Sequence, residues 1–266
     1  MPSFLHRLIA QPPRVVERDC VRLHLDGREI EVLRVRDPRA RRIKLSVDER
    51  GARLTLPPRA SLVAGERFLH EHRDWLALQL SHYRQADSLA PLQRGQPGEL
   101  PLRGERLPVH WHESRYARIE VEDGIAHLHL PVRAGEPALR RALKDFYEAQ
   151  ARADVGRWLP KYLPSLPRAP RAVRYKTMSS QWGSLAPDGS MALDLALVLG
   201  RPSAFEYVLV HELCHLIQAN HSPAFWHEVE MRFPGWRQER DYFHQHGRQL
   251  KAQLRRLQSV EPLPPS

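Results

Sequence analysis

One stretch constrains this chain more than any other: Val208-Leu209-Val210-His211-Glu212-Leu213-Cys214-His215-Leu216-Ile217-Gln218-Ala219-Asn220-His221. It contains His-Glu-x-x-His, and on an α-helix imidazoles at i and i+4 lie about 40° apart around the axis and one turn apart along it. Both can therefore reach one metal ion. Val208, Leu209, Leu213, Leu216 and Ile217 give the same helix an apolar side to bury while the histidines line a cleft.

Zinc suits this donor set, because neutral imidazoles hold it at roughly 2.0–2.1 Å and catalytic sites supply three protein ligands. His221 is the candidate third ligand. Asn220 can take the left-handed conformation that ends a helix, and Ser222-Pro223 reads as the N-cap and first position of the next one. His221 then falls in a tight corner between two helices. Glu212 is rotated about 100° from His211, too far round to join the ligands yet close enough to touch a water beside the metal. The spacing thus predicts Zn2+ on His211, His215 and His221, with Glu212 as the catalytic general base.

The rest of the chain sets bounds on this reading. Its 266 residues have ample length for a buried core, and no apolar run approaches the roughly 18 residues that a membrane span needs. The first residues lack the continuous apolar centre of a secretory signal, so a cytoplasmic protein without a membrane partner is expected. Two cysteines, Cys20 and Cys214, cannot build a disulfide framework or a cysteine-rich zinc ribbon, and Cys214 reads as a small buried thiol. A net charge of +10, mostly from arginine, favours anionic partners such as nucleic acid or nucleotides, although the arginines are spread along the chain.

Along the chain, residues 1–20 read as a flexible arm. Short alternating runs over 21–56, with a turn at Asp48-Glu49-Arg50-Gly51, predict an antiparallel meander. One helix is expected over 61–85, capped by Ser61, with Phe68, Trp75, Leu76 and Leu80 inward. After a Pro- and Gly-rich connector over 91–101, a second strand group (107–111, 119–121, 125–130) echoes the first, and a helix follows over 136–159. Arg42-Ile43 through Gly51 to Leu56-Pro57 is matched by Arg118-Ile119 through Gly124 to Leu130-Pro131, a twofold repeat of one supersecondary unit. Residues 173–195 predict a hairpin turning at Pro187-Asp188-Gly189. The metal helix follows it, with a start signalled by Arg201-Pro202-Ser203 and Glu206 at the capping-box offset. The expected organisation is α+β: a β-rich region with one long helix over 21–133, a helical catalytic region over 134–258, and a disordered tail over 259–266.

The segment Tyr207 to His215, with Asn220-His221-Ser222-Pro223 and Phe225-Trp226, resembles the YgjP-like zinc metallopeptidase family, relatives of the WLM and SprT-like groups. Trp182-Gly183-Ser184 matches that family's Trp-Gly-Ser element, and Gly104-Glu105-Arg106-Leu107-Pro108 and Leu56-Pro57-Pro58 resemble its N-terminal part. The resemblance implies a zincin-like fold, with His211, His215 and His221 as ligands and Glu212 as base. This chain has Gln181 and Leu185 where the family usually has Arg and Cys, and Asp194 in place of an Asn.

Three functions compete at this stage. The first is zinc-dependent hydrolysis of a peptide or protein substrate, with His227, Tyr207, Tyr242 or Lys176 as the oxyanion donor. The second is metal-dependent hydrolysis of a nucleotide or other phosphoanhydride, against which stands the absence of a Gly-rich phosphate loop. The third is a basic nucleic-acid-associated protein with a structural zinc, which would have no use for Glu212.

Overall fold

A computed structural model describes residues 17–25, 27–48, 51–86 and 92–258. The arm expected over 1–20 is corrected at its end, where residues 17–20 are already strand; its residues 1–16, the turn residues Glu49 and Arg50, and the tail over 259–266 lie outside the described residues. The chain divides into two compact units, Met1–Arg84 and Gln85–Ser266.

In the first unit, β1 (Glu17–Leu25), β2 (Arg28–Arg36), β3 (Lys44–Asp48) and β4 (Gly51–Leu56) form a sheet in the order β1-β2-β4-β3. Period-two alternation turns Ala52, Leu54 and Leu56 of β4 to the core. The expected meander is corrected, because β2 runs parallel to β4, with Val32 opposite Ala52 and Arg36 opposite Leu56. Alternation reports which face a residue takes, not which strand lies beside it. Arg36 helps to fix the pairing: its Nη1 donates to the carbonyls of Pro58 at 2.8 Å and Ala60 at 2.9 Å, just past the end of β4.

The single helix expected over 61–85 is also corrected, to α1 (Leu62–Glu71) and α2 (Arg73–Ala86), which break at His72. Ser61 caps α1 as expected, accepting from the Ala64 N–H at 3.1 Å. The break resets the helical phase, so Leu69 and Leu76 are buried while Trp75, expected inward, is 37% exposed.

The second unit opens with β5 (Glu99–Leu102), β6 (Glu105–Glu113), β7 (Arg118–Glu122) and β8 (Ile125–Leu130). Their order, β5-β6-β8-β7, and their pairing, antiparallel outside and parallel between β6 and β8, reproduce the first sheet. The twofold likeness read in the sequence is thus a repeated strand order. The connector is shorter than expected, since Glu99–Leu102 is already strand and Pro101 sits at the sheet edge, where its missing N–H costs nothing. Asp123 and Gly124, both at positive φ (51° and 76°), make the two-residue turn that joins β7 to β8.

A long helix, α3 (Glu136–Tyr162), follows, then β9 (Ala172–Lys176), β10 (Gly183–Leu185) and β11 (Ser190–Asp194). β10 and β11 form the predicted hairpin, with Gly189 at φ +85° and the Asp188 carboxylate accepting from the Ser190 N–H at 2.9 Å. β9 adds in parallel on the far side of β11, which leaves β10 as an edge strand. The unit closes with a 3-10 turn (Leu195–Leu199) and the helices α4 (Pro202–Cys214), α5 (Pro223–Arg232) and α6 (Trp236–Gln258).

One hydrophobic cluster joins the second strand group to these helices, with Leu100, Leu128, Tyr147, Leu199, Leu209 and Leu254 in common. At the β5–β6 turn Arg103 donates to the buried Asp154 carboxylate of α3 at 2.9 Å and to Gln150 Oε1 at 2.8 Å, while its N–H donates to the Val198 carbonyl at 2.8 Å. This network ties the sheet to the segment that leads into α4. The fold is α+β, and among the described residues no helix is long and apolar enough to cross a membrane.

Candidate metal centre

The helix that carries His211 and Glu212 is apolar nearly all round. Phe205, Val208, Leu209, Val210 and Leu213 are buried, so packing and not surface polarity fixes its place. Pro202 occupies its first position, with Arg201 as an N-cap whose side chain makes no capping bond. The expected capping box does not form. Glu206 instead accepts from the Tyr162 hydroxyl at 2.8 Å and from Lys161 Nζ at 3.1 Å, stronger partners that α3 brings to it.

The helix ends at Cys214 with His215 as its C-cap, earlier than the apolar spacing suggests, and Leu216 and Ile217 continue it as single turns. Asn220 is not left-handed: the non-glycine residues at positive φ, among those described, are Arg103 and Asp123. Its side-chain oxygen instead accepts from the Ser222 N–H at 3.3 Å, which makes the same corner by an Asx turn. Ser222 caps α5 through the Phe225 N–H at 3.4 Å, with Pro223 at the first position, as the sequence predicts.

This corner folds His221 back onto α4. His211, His215 and His221 each offer a ring nitrogen within 4.8 Å of the others, and among the described residues no other three metal-ligating side chains converge in this way. The Nε2 atoms of His211 and His221 lie 3.0 Å apart, against about 3.3–3.4 Å for two tetrahedral ligands at zinc's usual bond length. His215 Nδ1 is 3.1 Å from the Gln218 carbonyl, a contact that holds the proton on Nδ1 and leaves Nε2 as a lone pair. Burial, then His215 and His221, lower His211 to about 3, so it is neutral at physiological pH, and its buried Nδ1 has no hydrogen-bond partner. Three imidazoles crowded together in this way, with His211 neutral among them, fit a divalent cation. Phe225 stacks on His215 and Trp226 on His221, which walls the group with aromatic rings.

Glu212 lies beside the triad, 6% exposed, and burial pushes its carboxyl up to about 7. Gly183 of β10 presses on it. A Cβ at that position would stand 2.6 Å from both Cγ and Oε1 of Glu212, so no residue but glycine fits without moving the carboxylate. The preceding Trp182 packs on α6, its ring centroid 4.5 Å from that of Phe243 and 4.2 Å from Lys251 Nζ. Lys251 in turn donates to the Gln181 carbonyl at 2.8 Å, to the Met178 carbonyl at 3.0 Å and to the buried Asp194 carboxylate, which also accepts from the Ala196 N–H.

A cleft of about 870 Å³ opens over the triad, walled by residues 181–187, by α4 and by Arg168, Arg240, Phe243 and His244. Of the four candidate oxyanion donors only Tyr207 lines it. Burial pushes this phenol up to about 12, so it keeps its proton at neutral pH. His227, Tyr242 and Lys176 lie outside the wall, and the Tyr242 hydroxyl is engaged with the Arg201 N–H at 3.4 Å. Arg168, Arg240, Phe243 and His244 carry no local spacing signal, because two remote segments bring them to the cleft. Cys214 is buried and does not join the ligand group. The strand histidines also stay apart from it: His112 Nε2 and His127 Nδ1 meet at 2.8 Å and His129 faces Glu120 at 3.4 Å, with no third ligand gathered around either contact.

With this geometry in place, the chain was compared with known proteins. A family model described as YgjP-like, metallopeptidase domain, matches residues 41–246. Among solved structures, the crystal structure of the metallopeptidase zymogen of Pyrococcus abyssi abylysin is 26% identical over 38% of this chain and 90% of that one, with a TM-score of 0.27. No curated protein matches the chain.

Proposed function

Because this chain belongs to the YgjP-like metallopeptidase family, we propose that it hydrolyses peptide bonds with zinc held by His211, His215 and His221 and with Glu212 as general base. The observation that supports this best is the convergence of three imidazoles beside a buried carboxylate against which Gly183 of β10 packs. A structural metal site needs no such base.

What a zinc ion supplies in such a site is Lewis acidity, which polarises the scissile carbonyl and lets water lose a proton near pH 7. The protein's own groups do the rest. Glu212 accepts the proton of the attacking water on its carboxylate and returns it to the departing amine. A carboxyl raised toward neutrality is suited to move a proton in both directions. Tyr207, one turn before His211 and protonated at working pH, donates to the substrate oxygen as charge builds on it. The free edge of β10 offers backbone groups to an extended peptide, which would lie antiparallel or parallel to Gly183–Leu185 across the cleft.

Metal content and turnover test the proposal together. Purified protein is expected to hold about one zinc per chain, the stoichiometry of a three-histidine site. Glu212→Gln should keep the metal and lose at least about 100-fold in peptide turnover, the low end of what a general base supplies. His221→Ala should lose the metal. Turnover of a nucleotide panel with none of peptides, or full metal affinity in His221→Ala, overturns the reading.

A further inference from the structure

The cleft wall carries two exposed arginines, Arg168 and Arg240, each resting against a neighbouring surface and not against a carboxylate. Arg168 lies flat on the β10–β11 turn: a Cβ built on Gly189 would be 3.5 Å from its Cζ, Nη1 and Nη2 alike. Equal approach to three atoms of a planar group puts its face toward the glycine. Arg240, on α6, stands with its Cζ 5.7 Å from the centroid of the Trp226 ring, the same ring that stacks on His221.

Four neighbouring acids are matched elsewhere. Asp188 pairs with Arg171, Glu228 with Arg232, Glu230 with Arg237 and Glu239 with Arg201, each at 2.9 Å or less. Among the described residues neither Arg168 nor Arg240 has an ion pair, although both line the cleft, where the one carboxylate is the buried Glu212. A guanidinium that rests on a neighbouring surface and has no carboxylate of its own can receive one from a substrate as a bidentate fork.

We propose that this cleft selects acidic peptides, with Arg168 and Arg240 as specificity-determining residues that receive substrate carboxylates. The inference rests on the peptidase reading above, and it adds the charge of the substrate. The carboxylate can belong to an Asp or Glu side chain or to a free peptide C-terminus.

Matched quenched-fluorescence peptides that differ only in Glu, Gln or Lys at positions flanking a common scissile bond test it on the full zinc-loaded chain. Each is made with a free and with an amidated C-terminus. Glu peptides should exceed their Gln partners in kcat/KM by about tenfold or more, as charge-assisted bonds in a walled cleft do. Arg168→Gln and Arg240→Gln should each narrow that ratio, and the double charge reversal Arg168→Glu/Arg240→Glu should turn the preference toward Lys peptides. A preference that survives amidation assigns the side chain as the source, and one lost on amidation assigns the C-terminus.

A binding arm separates the two ideas. The same peptides are titrated by anisotropy onto zinc-loaded Glu212→Gln. Acid-selective binding without wild-type turnover sinks the peptidase reading and upholds the arginine assignment. Glu and Gln peptides bound within twofold of each other, or a preference unchanged in the double reversal, overturn the assignment.

Discussion

At the scale of single residues, the contact that decides most is the one between Gly183 and Glu212. A methyl group added at position 183 must displace the carboxylate, since it would sit 2.6 Å from Oε1, well inside van der Waals contact. Gly183→Ala is therefore expected to lower kcat/KM by about 100-fold, the cost of roughly an ångström of misplacement in a reacting group. Zinc content and thermal midpoint should stay close to wild type, because the three histidines lie on other segments. Activity within threefold of wild type would show that the carboxylate does not need this wall. The convergence of His211, His215 and His221 beside Glu212 was legible in their spacing, because helix geometry alone brings two of the rings together. Gly183 was visible only as part of a Trp-Gly-Ser element, because what it touches is set by a strand crossing over a helix. Arg168 and Arg240 were not legible, since nothing in their neighbourhoods distinguishes them from the arginines of an exposed surface.

At the scale of elements, α6 is joined to the segments around β10 by one buried ion pair. Burial raises the Asp194 carboxyl and lowers the Lys251 ammonium, and in each case the charge of the partner opposes the shift. Asp194→Ala or Lys251→Met alone is expected to cost about 3–5 kcal/mol in denaturant unfolding, because the survivor is left as an uncompensated buried charge. The double variant should cost clearly less than the sum, and additive losses would show that the two groups are not coupled. This pair also accounts for Asp194 where the family resemblance leads one to expect Asn: an aspartate is tolerable in that buried position because Lys251 reaches it from α6.

On the second sheet, burial, then Arg118 and His112, lower the pKa of His129 below its ordinary 6.5, while Glu120 opposes them. The unfolded chain thus binds this proton more tightly than the native one, and the contribution to stability is present above pH 6.5 and lost as pH falls through the native midpoint. An imidazole titration by NMR should find that midpoint below 6.5, and a midpoint at or above 6.5 would refute the burial argument. The parallel pairing of β6 with β8, which brings His110, His112, His127 and His129 together, is hidden in the sequence, because a period of two does not encode neighbours.

At the scale of the whole molecule, the two compact units differ in what they contain. The triad, Glu212, Gly183 and every wall residue of the cleft belong to the unit that begins at Gln85, and that unit has a hydrophobic cluster of its own. A fragment spanning 85–266 is expected to fold cooperatively and to bind zinc with the stoichiometry of the full chain, as circular dichroism and metal analysis would report. Failure to fold would mean that the first unit contributes to the core of the second. The overall class, α+β with two strand groups and a helical remainder, could be read from periodicity. The strand order repeated in both sheets, and the common core of the second sheet and the helices, required long-range pairing that no local pattern carries.

The way α6 holds β10 has one last consequence, for how the protein would fail. Gly247 lets Trp182 settle so close that a Cβ there would stand 2.8 Å from its ring, and Lys251 fastens the same loop, so the seat of Glu212 depends on the carboxyl-terminal half of the last helix, whereas α6 reaches the histidines through its first turn, where Trp236 stacks on the Trp226 ring that covers His221. Fraying from the carboxyl-terminal end should then silence turnover while the cation is still bound, so that inactivation and metal release separate into two events during gradual heating.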